Sequence, residues 1–218
     1  MTPLSTYRHI IWDFNGTLID DLDAALEIQR IMLAHHHLAP LDRERYLKTF
    51  DFPIIDWYAY LGYDISQYES LARDWSQLYE SCAVTLSLCP GAQELLTLFA
   101  QNGLGQSVLS ASNVKQLNML LEHLGILDYF DPILGLDNSL AGGKTGLCRE
   151  FQKRVTVPPE QILLIGDTTQ DALTADLIGC DCALVACGHQ CREKLSRTGA
   201  AVFDDHFALY DHLSSHII

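Results

Sequence analysis

Short apolar runs recur along the chain: HIIW (9–12), SVLS (107–110), PILGL (132–136), QILLI (161–165) and CALVA (182–186). The first four stop abruptly at Asp13, Ala111, Asp137 and Gly166. Runs this short, apolar rather than alternating with polar residues, predict strands buried on both faces, as in a parallel sheet. Between them the period changes: Leu117, Leu120, Leu121 and Leu124 fall at i, i+3, i+4 and i+7, the stripe of an amphipathic helix. Strand alternating with helix predicts an α/β fold, a doubly wound parallel sheet of Rossmann-like type with right-handed crossovers.

One interval breaks the alternation. From Asp20 to about Leu88 the spacing is helical with no convincing strand, and Tyr68, Leu71, Ala72, Trp75, Leu78, Tyr79 and Cys82 share one stripe. A stretch of roughly 70 residues is far longer than a crossover needs. A helical subdomain is therefore expected over 19–88, inserted into a core built from 1–18 and 89–218. Pro90-Gly91 marks the return to the core, with a helix expected from Ala92 to Asn102.

Composition narrows the function. Of the 218 residues 48% are hydrophobic and 19% charged, which suits a globular chain with a real core. Lys and Arg total 14 against 28 Asp and Glu, a formal net charge of −14. Such a surface repels polyanions, so neither nucleic acid nor an anionic membrane is an expected partner. A small phosphorylated ligand would need positive charge supplied locally, by a metal ion, a lysine or backbone N–H groups. The N-terminus lacks the basic start and long apolar stretch of a secretion signal, and no run approaches membrane-spanning length; a cytoplasmic protein, monomeric or homodimeric, is expected. Seven cysteines, an odd number, suit reduced thiols better than a disulfide framework. Cys180, Cys182, Cys187 and Cys191, with His189 among them, miss the usual C-x₂-C spacing of a zinc site, so free thiols are expected there. His35, His36 and His37 are consecutive, point in different directions on a helix, and read as a solvated helix end.

Four segments carry candidate chemistry, each with a plain alternative. Asp13-Phe14-Asn15-Gly16-Thr17-Leu18 follows the first strand, where open α/β sheets bind ligands, yet Asn-Gly is also common in ordinary turns. Ser110-Ala111-Ser112-Asn113 presents a hydroxyl and N–H groups ahead of a helix, yet Ser112 or Asn113 would serve equally as its N-cap. Lys144 follows Gly142 and Gly143, yet a loop lysine is usually solvated. Gly166-Asp167-Thr168-Thr169-Gln170-Asp171 sets two carboxylates four apart at a strand end, where Asp or Thr also caps helices.

Taken in order, acid, hydroxyl, lysine and acid pair, with a helical insertion directly behind the first, the chain resembles the haloacid dehalogenase superfamily of hydrolases, in particular its phosphoglycolate phosphatase-like and beta-phosphoglucomutase-like members. The resemblance spans nearly the whole chain and implies a Mg²⁺-dependent phosphatase acting on a small phosphorylated metabolite beneath a helical cap. Position by position, it implies that Asp13 is the nucleophile that becomes an aspartyl-phosphate. Asp13, Asp167 and the Asn15 carbonyl would hold Mg²⁺, with Asp171 in support. Ser110 and Lys144 would neutralise the phosphoryl oxygens, and Gly16, Thr17, Ala111, Ser112 and Asn113 would line the substrate. In the cap, the segment RERYLKTFDF offers Arg45, Tyr46, Lys48 and Phe50 toward the substrate, and cap motion is expected about Ile19–Asp20 and Leu88–Pro90.

The pattern is broken at one place. Phosphatases of this superfamily carry an Asp two residues after the nucleophile as proton shuttle, and here that residue is Asn15. Its carboxamide keeps the hydrogen-bonding shape but cannot carry the proton, so slow turnover or a good leaving group is expected, and restoring Asp at position 15 should quicken the reaction. Dehalogenases and phosphonoacetaldehyde hydrolases of the superfamily also lack that Asp. The former need no metal, and the latter use a cap lysine, for which Lys48 is the one lysine in 19–88. A phosphometabolite-binding protein without turnover is the remaining alternative.

Overall fold

The computed structural model describes residues 2–136 and 145–215. Six strands, β1 (His9–Trp12), β2 (Gly105–Asn113), β3 (Ile133–Leu136), β4 (Ile162–Gly166), β5 (Asp181–Val185) and β6 (Ala201–Phe203), form one sheet in the order β3-β2-β1-β4-β5-β6. Every neighbouring pair is parallel. This is the doubly wound α/β fold that the apolar runs predict. Chain order reverses between β1 and β4, and the carboxyl ends of strands at such a switch point open a crevice.

Between β1 and β2 come four helices, α1 (Leu22–His35), α2 (Arg43–Thr49), α3 (Ile54–Leu61) and α4 (Tyr68–Ala83), the all-helical interval expected from its spacing. They are followed by α5 (Ala92–Gln101), α6 (Val114–His123), α7 (Thr145–Arg154), α8 (Thr169–Ile178), α9 (Arg192–Leu195) and α10 (His206–Ser214). Successive strand residues face opposite sides of the sheet. Ile10 and Trp12 of β1 thus pack in one cluster with Leu95 and Phe99 of α5, Leu117 and Leu121 of α6, and Leu209 of α10. Ile11 joins Phe151 of α7 with Ala175 and Ile178 of α8 on the other face. The chain enters and leaves the helical interval side by side: Ile19 bridges Leu88, Asp20 N–H donates to the Ser87 carbonyl at 2.9 Å, and Cys89 N–H to that of Leu18 at 2.9 Å.

Two differences from expectation have physical causes. β6, only Ala-Val-Phe and half-buried along its length, is apolar but too short and too rich in alanine to stand out as a buried strand. β2 starts at Gly105 and continues through Asn113, because the Ser-Ala-Ser segment stays extended against β3. None of the seven cysteines is in a disulfide. The three histidines close α1, with His36 edge-on to Tyr63 at 5.3 Å. No helix among the described residues is long and apolar enough to cross a membrane.

Candidate active site

β1 ends on Trp12, just before Asp13, and β4 on Gly166, just before Asp167, so their adjacency brings Asp13 beside Asp167 at the switch point. Asp171 is carried there by the first turn of α8. Its carboxylate accepts from the Thr168 N–H at 2.9 Å and hydroxyl at 2.7 Å, a capping box, and from the Asp167 N–H at 3.2 Å. The plain alternative for this motif, helix capping, is thus seen directly, and it leaves the Asp171 carboxylate beside Asp13 and Asp167. Asp13, Asp167 and Asp171 are all buried, each with an oxygen within 4.8 Å of the others, and they are the one such group of potential metal ligands among the described residues. Burial pushes the Asp167 carboxyl up, His189 opposes the rise and Asp171 adds to it, with a net rise. Like charges crowded in a buried place, presenting oxygen alone, suit a hard divalent cation such as Mg²⁺.

Asn15 stands in a network that the spacing did not reveal. Its Nδ2 donates to Asp21 Oδ2 at 2.6 Å and to the Tyr79 hydroxyl at 2.8 Å, while its Oδ1 accepts from Ser112 Oγ at 2.7 Å. Asp21, fully buried, also accepts from the Gly16 N–H at 2.8 Å, from Tyr79 at 2.9 Å and from His189 Nε2 at 3.1 Å. His189 in turn meets the Tyr46 hydroxyl at 3.0 Å through Nδ1 and donates its backbone N–H to Asp167 Oδ2 at 2.6 Å. Asp21, Tyr79 and His189 are the site residues that sequence reasoning missed. The available signal for His189 was its place just past β5, the loop position that carries function on a sheet of this kind.

Burial alone would lower the His189 imidazole, but the Asp21 carboxylate outweighs it, aided by Asp167 and Asp13, and the group rises from 6.5 to about 9. The Asp21 carboxyl moves down, because His189, Asn15 and Tyr79 together outweigh its burial. A raised histidine binds its proton more tightly when folded, so its stabilisation is full below pH 6.5 and is lost as pH rises through 9. In thermal melts with EDTA, His189→Gln should be less stable than the native protein by on the order of 3 kcal/mol at pH 6, and the gap should shrink steadily toward pH 10. A gap independent of pH would show that the pair is not charged.

The other predicted residues divide. Ser110, Ala111, Ser112 and Asn113 line a cavity that also reaches Asp13, Asn15, Asp21 and His189. Ser110 Oγ accepts from the Ser112 N–H at 3.1 Å, and Asn113 caps α6 by accepting from Lys115 N–H at 3.0 Å. Thr17 turns inward, its hydroxyl donating to Asp167 Oδ1 at 2.9 Å, so it braces a carboxylate rather than facing the cavity. Gly16, at φ +70°, lets two loops close: a Cβ there would lie 2.4 Å from Asp167 Oδ2 and 2.6 Å from His189. From the RERYLKTFDF segment Tyr46 and Phe50 reach the cavity. Arg45 and Lys48 are not among its lining residues: Arg45 sits 5.5 Å from the Tyr60 ring and Lys48 pairs with Glu44 at 2.7 Å on the surface. Lys144, with Gly142 and Gly143, lies outside the described residues. The helical interval is latched over the site from beyond β5, where Gln190 Nε2 and Lys194 Nζ both donate to the Phe50 carbonyl, at 2.9 and 2.7 Å.

Comparison with known proteins agrees with this architecture. Residues 10–185 match the family model described as haloacid dehalogenase-like hydrolase. A phosphoglycolate phosphatase of Rhodospirillum rubrum is 28% identical over 220 residues, covering 94% of this chain and 90% of that protein. An N-acetylmuramic acid 6-phosphate phosphatase of Pseudomonas aeruginosa is 24% identical, covering 91% of each. Among solved structures, a haloacid dehalogenase-like family hydrolase of Streptococcus pneumoniae superposes with a TM-score of 0.81 at 17% identity, over 95% of this chain and 99% of that one, which speaks to the fold.

Proposed function

The chain belongs to the haloacid dehalogenase-like hydrolases, and from that premise we propose that it is a Mg²⁺-dependent phosphatase of a small phosphorylated metabolite, working in the cytoplasm through an aspartyl-phosphate on Asp13. The observation that carries the reading is the meeting of Asp13, Asp167 and Asp171 just past the ends of β1 and β4, with Asp13 lining a cavity that Ser110 also lines. Asp13, Asp167 and the Asn15 carbonyl would hold the ion, with Asp171 bracing the loop that carries Asp167. When bound, Mg²⁺ would offset the negative charge of the carboxylates and the phosphate.

An Asp13 carboxylate oxygen attacks phosphorus and the bond to the ester oxygen breaks; water then attacks the same phosphorus, releasing inorganic phosphate and restoring Asp13. Ser110 Oγ and the N–H groups of the Ser-Ala-Ser segment orient the phosphoryl oxygens, and Lys144 is proposed to neutralise them. The helical interval serves as a cap that excludes water, with 19–20 and 88–90 as its hinges. Two alternatives lose support. A metal-free dehalogenase has no use for three crowded carboxylates, and a Schiff-base phosphonate hydrolase would need a lysine at the cavity, where Lys48 is not found.

The test is phosphate release from p-nitrophenyl phosphate and a panel of small esters, with Mg²⁺ or with EDTA. Release is expected with Mg²⁺ and is expected to fall to background in EDTA. Halide release from haloacids in EDTA, without phosphate release, would replace the phosphatase with a dehalogenase.

A further inference from the structure

The cavity above Asp13 has a volume of about 310 Å³, room for a small ring system with its phosphate. Its walls are aromatic. Tyr46 stacks on Phe50 at 5.2 Å with planes 7° apart, and Trp57 meets Phe50 edge-on at 5.0 Å. From α4, Trp75 stacks on Tyr79 at 4.9 Å with planes 14° apart. All five line the same space. Tyr46 and Tyr79 are fixed by their hydroxyls to His189 and Asp21, so their rings are anchored to the network around Asn15.

The charges of this cavity point the same way. Among the described residues that line it there is no lysine or arginine, and its carboxylates are Asp13, Asp21 and Glu80. Its one candidate cation, His189, is already engaged by Asp21. A carboxylate on the organic part of a substrate would enter beside ring faces and like charges with no cation to pair with, only the uncharged amide donors of Gln29 and Gln116.

Asn15 adds an independent constraint. With no acid at that position, the leaving oxygen departs without a proton from the usual donor, which favours a weakly basic leaving group. A phenolic hydroxyl has a pKa of about 10, as in tyrosine, and its anion leaves far more readily than that of an aliphatic alcohol.

Resting on the phosphatase reading above, we propose that the substrate is a phosphate monoester of a flat, uncharged aromatic hydroxyl, its ring held among Tyr46, Phe50, Trp57, Trp75 and Tyr79, and not a carboxylate-bearing ester such as phosphoglycolate. The reaction yields the free phenol and inorganic phosphate from the ester and water.

Two measurements on the full chain with Mg²⁺ test this. Trp57 and Trp75 report occupancy of the cavity by fluorescence, so phenylphosphonate, phosphonoacetate and (2-trimethylammonioethyl)phosphonate, none with an ester bond to hydrolyse, can be titrated without turnover. Phenylphosphonate should bind at least about tenfold more tightly than either of the others, as expected for an added stacking contact and an avoided buried charge. In steady-state kinetics the KM for 2-naphthyl phosphate should lie at least about tenfold below that for phosphoglycolate, and Trp75→Leu should raise the former by a larger factor than the latter, narrowing the gap. Equal or tighter binding of phosphonoacetate overturns the proposal, as does a lower KM for phosphoglycolate; either leaves the phosphatase reading standing. Preference for the trimethylammonioethyl phosphonate overturns it in favour of a cation held on the ring faces. Tight phenylphosphonate binding with no phosphate released from any ester keeps the ligand class and removes the phosphatase instead.

Discussion

Asp13→Asn is expected to lower phosphate release by roughly 10⁴-fold or more, the scale on which loss of a covalent nucleophile is felt. Asparagine keeps the shape of the buried side chain, so the sheet should fold as before. What it removes is an anionic oxygen able to attack phosphorus, and one of three carboxylates that converge within 4.8 Å. The two losses separate experimentally. Trapping of a covalent phosphoryl group from substrate, followed by acid quench and mass measurement, should show it on the peptide containing Asp13 in the native protein and nowhere in the variant. Mg²⁺ binding followed by calorimetry should weaken while remaining measurable, because Asp167 and Asp171 stay in place. A variant that retains turnover within tenfold of the native protein would remove Asp13 from its proposed role, whatever the family.

The parts of this site that could be read from the chain are those set by local pattern. Asp13, Ser110 and Asp167 each lie at or just past the end of a short apolar run, and a parallel sheet gathers the carboxyl ends of such runs whatever lies between them. The helical interval was legible for the same reason, since the stripe from Tyr68 to Cys82 needs only its own spacing. The ion pair of Asp21 and His189 was not, because 168 residues separate them and nothing local marks either as charged and buried. Spacing alone likewise offered Arg45, Tyr46, Lys48 and Phe50 together. Helix geometry then turned Tyr46 and Phe50, four apart, inward and left Arg45 and Lys48 outside. The strand β6 escaped notice because three half-buried residues carry too little pattern.

The same network overturns the simple expectation that Asp at position 15 restores a fast enzyme. In the structure the Asn15 amide donates to Asp21 Oδ2 at 2.6 Å, so Asn15→Asp sets two buried carboxylates against each other with no proton between them. That should cost roughly 3 kcal/mol of stability, the scale for an uncompensated buried charge, and part of the site's order with it. Exchanging both residues, Asn15→Asp with Asp21→Asn, avoids the conflict at unchanged net charge. The new amide at 21 can still accept from the Gly16 N–H and His189 through its oxygen, and its nitrogen can donate to the new carboxylate at 15. Tyr79 and Ser112 already lie within 2.8 Å of the Asn15 side chain and would donate to that carboxylate as well. The double exchange should recover part of the lost melting temperature, the rest being held back because Asp21→Asn also gives up the carboxylate that pairs with His189. It should also exceed native turnover by about 10²-fold or more on alkyl phosphate esters, where proton donation to the leaving oxygen matters most, and by much less on aryl esters. Equal gains on both ester classes would place the limit elsewhere than at the leaving oxygen. A single exchange as stable as the native protein would mean that Asp21 does not carry the charge its hydrogen bonds require.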